Sequence, residues 1–176
     1  MTRHQFAGPI DPETDPHGWF ASHHGLPVVP LRNPVLETLG HHPASRYAER
    51  YWLPTLGPTA CWLHRNLVTR LEEEPDGVRL HLPTIASEVG VGTGTGRNAP
   101  IIRALSRLRD FHVVEIVDDT LGVHMMLPPL SRRQAASLPE HLAVDHRSAA
   151  TAARSRPGAE LRATRPISAS VAEVGP

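Results

Sequence analysis

The chain has 176 residues, room for one compact core with tails and too few for two ordinary domains. Its 18 basic residues are all arginines and balance 18 acidic ones, so no global positive field draws in nucleic acid and such contacts need a local set of arginines. One cysteine, Cys61, excludes an internal disulfide and a multi-cysteine metal site. No run approaches the roughly 20 apolar residues of a membrane span, so a cytoplasmic protein with no membrane partner is expected.

Residues 1–42 carry proline, glycine and histidine without any period, as in FAGPIDPETDPHGWF and ASHHGLPVVP, and predict a flexible N-terminal arm. Only a brief helix, Pro34–Leu39 ended by Gly40, is expected inside it. Order is expected from residue 43. Ser45 is placed to cap a helix over Arg46–Leu53 whose face of Tyr47, Ala48, Tyr51 and Trp52 suits either the core or a homodimer contact, with Pro54 ending it. Gly57-Pro58-Thr59 opens the longest helix, running to Glu74. Ala60, Leu63, Leu67 and Leu71 share one face of it, and Arg65, Asn66, Arg70 and Glu73 the other. Glu72-Glu73-Glu74 reads as a solvated end, and Pro75-Asp76-Gly77 as a turn.

Val78, Leu80 and Leu82 alternate with Arg79 and His81, the period of a half-buried strand. Pro83 is expected to stop it and Thr84 to cap a short helix over Ile85–Val89. Gly90, Gly92, Gly94 and Gly96 then break the chain. Asn98 and Pro100 mark the start of a second helix, from about Ala99 to Phe111. Ile101, Leu105 and Leu108 form its apolar face, and Arg103, Ser106, Arg107 and Asp110 the opposite one. Past Phe111 the period becomes that of strands, Val113–Val117 and Val123–Leu127, around an acidic turn, Asp118–Gly122. Pro128-Pro129 closes this stretch, Ser131 caps a helix over Arg132–Leu138, and Pro139 starts another reaching about Ala150. Residues 43–150 are thus expected to form the domain and residues 151–176 a disordered tail rich in Ala, Arg, Ser and Pro.

The order strand, short helix, turn, amphipathic helix and two-stranded hairpin, with the long helix before it, resembles a winged helix-turn-helix domain. The likeness covers about fifty residues and rests on element order and helix amphipathicity, without a diagnostic signature. It departs from the pattern in the turn 90–97, which is longer than the three or four residues usual between the two helices. The resemblance implies a mainly α fold with a small β wing, carrying extra N- and C-terminal helices. It also implies a DNA-binding protein, in the first instance a transcriptional regulator, that places the helix 99–111 in the major groove of double-stranded DNA. Arg97, Asn98, Arg103, Ser106, Arg107 and Arg109 are then the candidate contacts, since arginine's planar fork binds guanine or phosphate. A homodimer through the aromatic helix or the C-terminal helices is the expected assembly.

Two features pull the other way. Asp118 and Asp119 at the wing tip would meet phosphates if the wing lay along a groove, and residues 43–146 hold eleven arginines against twelve carboxylates. DNA contact therefore requires that charge be segregated onto one face. The first alternative is a winged-helix module that contacts protein instead. A remote one is a nucleotide site at the turn 92–97, because Gly94-Thr95-Gly96-Arg97-Asn98-Ala99 fits a GxGxxA fingerprint, although TIASEVGV before it is not a buried strand. The twelve histidines show no zinc-ligand spacing, and Cys61 beside Trp62 reads as packing. No catalytic constellation, metal or cofactor is expected, and the chain is not read as an enzyme.

Overall fold

In the computed structural model, which describes residues 10–23 and 25–154, the segment expected to be a flexible arm supplies one of the two inner strands of a sheet. Strand β1 (Gly25–Leu31) lies between β2 (Val78–His81) and β4 (Thr120–His124), and β3 (Val114–Val117) closes the far edge. β1 runs antiparallel to β2 and parallel to β4. Two prolines in an inner strand conflict with the usual rule, because proline brings no ladder donor. The registers resolve the conflict: β2 pairs with Gly25–Val28 and β4 with Val28–Leu31, so Val28 alone is paired on both sides. Pro27 and Pro30 each have one strand neighbour, and a missing N–H costs nothing on the open side.

The arm also supplies α1 (Pro16–Ser22). Asp15 caps it by accepting from the Gly18 N–H at 2.9 Å, and Pro16 fits the first turn, where no donor is needed. Trp19 and Phe20 on this helix are 2 % and 0 % exposed. Side chains of this size each bury area equivalent to about 4 to 6 kcal/mol of transfer free energy, before the cost of ordering them. That gain fastens the segment to the core. The expected arm 1–42 is thus corrected over its described residues; residues 1–9 lie outside them. Helix α2 (Pro34–Leu39) follows as read, capped by Asn33 and ended at Gly40.

Ser45 accepts from the Ala48 N–H at 3.2 Å, as its position suggested, but the helix it opens does not stop at Pro54. The backbone widens into a π-helical turn over Ala48–Trp52, where the Leu53 N–H reaches the Ala48 carbonyl, and continues as α3 (Leu53–Leu56) with Pro54 in its first turn. The aromatic face is filled from within the chain. Trp52 is fully buried and its indole donates to the Pro128 carbonyl at 2.9 Å. Tyr51 donates to Asp145 of helix α8 (Glu140–Arg154), and Tyr47 bonds His146 at 2.8 Å. Arg50 completes this tie to Asp145 at 2.7 Å. The homodimer contact expected on this face is therefore occupied by α8.

Helix α4 (Pro58–Glu73) buries Ala60, Leu63, Leu67 and Leu71 as its period requires, with His64 and Val68 beside them, and packs on β1 and β4. Helix α5 (Leu82–Glu88) begins two residues before the expected Thr84 cap; Pro83 sits in its first turn instead of ending the strand. Helix α6 (Pro100–Asp110) packs against both α4 and α1. The hairpin is tighter than read. Val117 pairs with Thr120, leaving only Asp118 and Asp119 in the turn, with φ of 48° and 60°. Left-handed backbone at both positions suits the twist of a two-residue hairpin, and aspartate tolerates it better than most side chains. Gly122 thereby falls inside β4, where a Cβ would lie 2.7 Å from Leu31.

Helix α7 (Arg132–Ala136) has the Ser131–Gln134 capping box, and α8 extends to Arg154, past the boundary placed at residue 150. The rest of the tail, residues 155–176, lies outside the described residues. The fold is mixed α/β, not mainly α, because β1 converts a small hairpin into a four-stranded sheet. No helix among the described residues is long and apolar enough to cross a membrane.

Candidate nucleic-acid interface

Helix α6 exposes little of itself. Its inner faces are taken by α4 and α1, leaving Pro100, Arg103, Arg107 and Asp110 towards solvent, with Arg109 half-buried. The six candidate contact residues separate into three groups.

Arg103 and Arg107, one helical turn apart, share an open groove of about 390 Å³ with Gly57–Ala60 at the start of α4 and with His17 and Asp110. Arg103 makes no ion pair or hydrogen bond among the described residues. Arg107 donates to the Thr55 carbonyl at 2.7 Å and its guanidinium lies 5.3 Å over the Phe111 ring, so it is held in place without being neutralised. The α4 N-terminus adds to this groove, since Gly57 provides no side-chain cap for the first N–H groups of the helix.

Arg97 and Arg109 are neutralised by the segment before α1. Arg97 is paired with Asp15, and Arg109 with Glu13 at 2.8 Å. The Arg97 hydrogen bond holds the Asp15 carboxyl below its ordinary range, with the Gly18 N–H assisting. His17 donates from Nδ1 to the Arg97 carbonyl at 3.0 Å, fixing the same turn. A Cβ at Gly18 would crowd both members of this ion pair, the Asp15 carboxylate and, at 2.6 Å, the Arg97 guanidinium. DPETDPH carried a legible signal: Asp followed by Pro is a cap and first-turn pair, and the acids before it are the partners that the arginines take.

Ser106 and Asn98 do not have their expected roles. Ser106 lies at the bottom of the groove shared by Arg103 and Arg107, but it is 2 % exposed and its Oγ is buried without a hydrogen-bond partner among the described residues, so it is not on the exposed face. Asn98 lies exposed in the turn before α6, whose N-cap is Ala99 without a side-chain bond.

The glycine turn lacks the strand context of a dinucleotide fingerprint. It follows helix α5 and not a strand, and Cβ atoms at Gly92, Gly94 and Gly96 would meet nothing within 4 Å. No packing within the protein depends on those glycines, and the strand that the fingerprint needs before them is absent. At the hairpin tip Asp118 and Asp119 are exposed, as read. Among the described residues no cluster of three His, Cys, Asp or Glu side chains is arranged to hold a metal ion. No family model, curated protein or solved structure matches this chain.

Proposed function

We propose that the chain is a winged-helix-like protein that binds double-stranded DNA through the groove between α6 and the start of α4. The observation that carries this reading is the exposed pair Arg103 and Arg107, one turn apart and beside an uncapped helix N-terminus. Support also comes from the element order between Pro58 and His124, which is long helix, strand, short helix, turn, amphipathic helix and hairpin. The reading is narrower than the sequence suggested: two arginines bear the contact, because Arg97 and Arg109 are already paired and Ser106 is buried.

A protein-contact module is the second reading. It is favoured by the carboxylates of Glu13, Asp15 and Asp110 around α6, which leave its positive charge unsegregated. Salt dependence separates the two. Two phosphate contacts give a slope of log affinity against log salt of about −2, since each neutralised phosphate releases about 0.9 counterion. Fluorescence anisotropy with mixed-sequence duplex across a salt series measures it. Duplex binding that is absent at low salt, or that is unchanged in the Arg103→Ala, Arg107→Ala double variant, puts the protein-contact reading in front.

A further inference from the structure

A second cavity lies beside α4, between that helix and the π-helical turn. It has a volume of about 340 Å³, within the lower range of small-molecule pockets, which run from about 300 to 1,000 Å³. Its floor is formed by Ala48, Leu56, His64 and Leu127, all buried. Its rim is formed by the more exposed Glu49, Leu53, Trp62 and Arg65, and Trp62 is 58 % exposed, unusual for so large an apolar ring.

The rim charges are spent on each other. Arg65 approaches Glu49 at 3.9 Å and lies 5.2 Å over the Trp62 ring. The floor carries no fixed charge, since burial pushes the Cys61 thiol up to about 11 and the His64 imidazole down to about 4. A charged ligand would find no partner at depth.

His64 supplies the one specific feature. Its Nε2 lies 2.8 Å from the His124 carbonyl, and a carbonyl only accepts, so Nε2 carries the hydrogen. Nδ1 is then a bare acceptor, and it has no partner although the residue is 1 % exposed. A buried acceptor left unsatisfied costs free energy that a ligand donor would recover. The π-helical turn adds a second pointer. It contributes Ala48 and Glu49 to the pocket, and such turns interrupt the regular helix ladder, often at functional sites.

We infer that this cavity binds a neutral one- or two-ring organic molecule bearing a single hydroxyl or N–H donor, which the unpartnered Nδ1 of His64 receives while Leu53, Leu56 and Trp62 enclose the rings. This site is independent of the α6 groove and does not rest on the DNA reading. The probes are phenol, indole and 2-naphthol, each matched with its donor-less counterpart anisole, 1-methylindole or 2-methoxynaphthalene. Each is titrated into the ¹⁵N-labelled full chain while the Trp62 indole signal is followed, assigned with Trp62→Phe.

At least one donor probe is expected to bind saturably, shifting Trp62 and the amides of Ala48, Leu53 and Cys61, and to bind about three- to tenfold more tightly than its counterpart. His64→Phe keeps a buried ring of similar size without any acceptor and should erase that preference. Leu53→Trp, at the rim and outside the hydrogen-bond network, should block every probe in a protein with unchanged circular dichroism. The inference is overturned if no donor probe binds saturably, if the shifts lie elsewhere, if the counterparts bind equally well, or if Leu53→Trp leaves binding intact.

Discussion

Mild acid should destabilise this protein through one histidine. His64 is fully buried on α4, and burial holds its imidazole at about 4 against an ordinary 6.5, so the native state keeps it neutral where the unfolded chain protonates it. The sign follows from proton counts: between 6.5 and about 4 the unfolded state binds more protons, and stability falls as pH falls. The whole difference corresponds to about 3 kcal/mol, and about 2 kcal/mol of it is already lost at pH 5. Carboxylates held low in the native state, Asp15 by Arg97, Glu88 by Arg70 and Asp145 by Tyr51 and Arg50, lose their contributions only as pH falls through and below the ordinary carboxylate range. The window from 6.5 to 5 thus lies above the carboxylate transitions, and comparison with a variant lacking the His64 imidazole subtracts what the other histidines contribute. Urea unfolding at half-unit steps across it, followed by circular dichroism, measures the slope in the parent and in His64→Gln. The variant is less stable throughout but should lack most of the parent's slope. Parallel curves, or a parent whose stability is flat over this window, would refute the reasoning.

Three further outcomes are expected. Gly122→Ala forces a methyl to within 2.7 Å of Leu31 and should cost about 1 to 3 kcal/mol in urea unfolding; Leu31→Ala in the same chain should reduce that increment. Trp19→Ala, which a flexible arm would tolerate freely, should cost about 3 to 5 kcal/mol, and an unchanged midpoint would detach α1 from the core. Arg103→Ala should leave stability within about 0.5 kcal/mol while weakening duplex binding, because its side chain is exposed and has no partner among the described residues; coupled loss of both would assign it a structural role.

Helices with an uninterrupted apolar face were legible: α4 buries Ala60, Leu63, Leu67 and Leu71 and α6 buries Ile101, Leu105 and Leu108, as their spacing requires. His64 sits one position after Leu63 on that same face, so its burial was readable too, had the period been weighed above the residue's polarity. Strand β1 was not, because Pro27 and Pro30 are acceptable only through the stagger between two ladders that come from residues 78–81 and 120–124. Pairing at that distance leaves no trace in a local window. Site residues failed for a similar reason. Periodicity put Ser106 on the outer face of α6, but α1 and α4 flank the helix on two sides and leave only a narrow outer strip. The ties of Arg97 and Arg109 come from acids some eighty or more positions earlier.

The placement of β1 sets an order of assembly during synthesis. This strand leaves the ribosome before either neighbour exists, and its parallel partner is complete only once His124 has been made. At ordinary elongation rates of about 5 to 20 residues per second, the segment LPVVPL waits for several seconds with its backbone unpaired. A run of valines and leucines in that state is a template for pairing with another chain. The two prolines that obscure the strand in the sequence interrupt its donor row, so they weaken such pairings without weakening the native one. Replacing Pro27 and Pro30 by valine would make a better strand in isolation and a nascent chain more prone to aggregate.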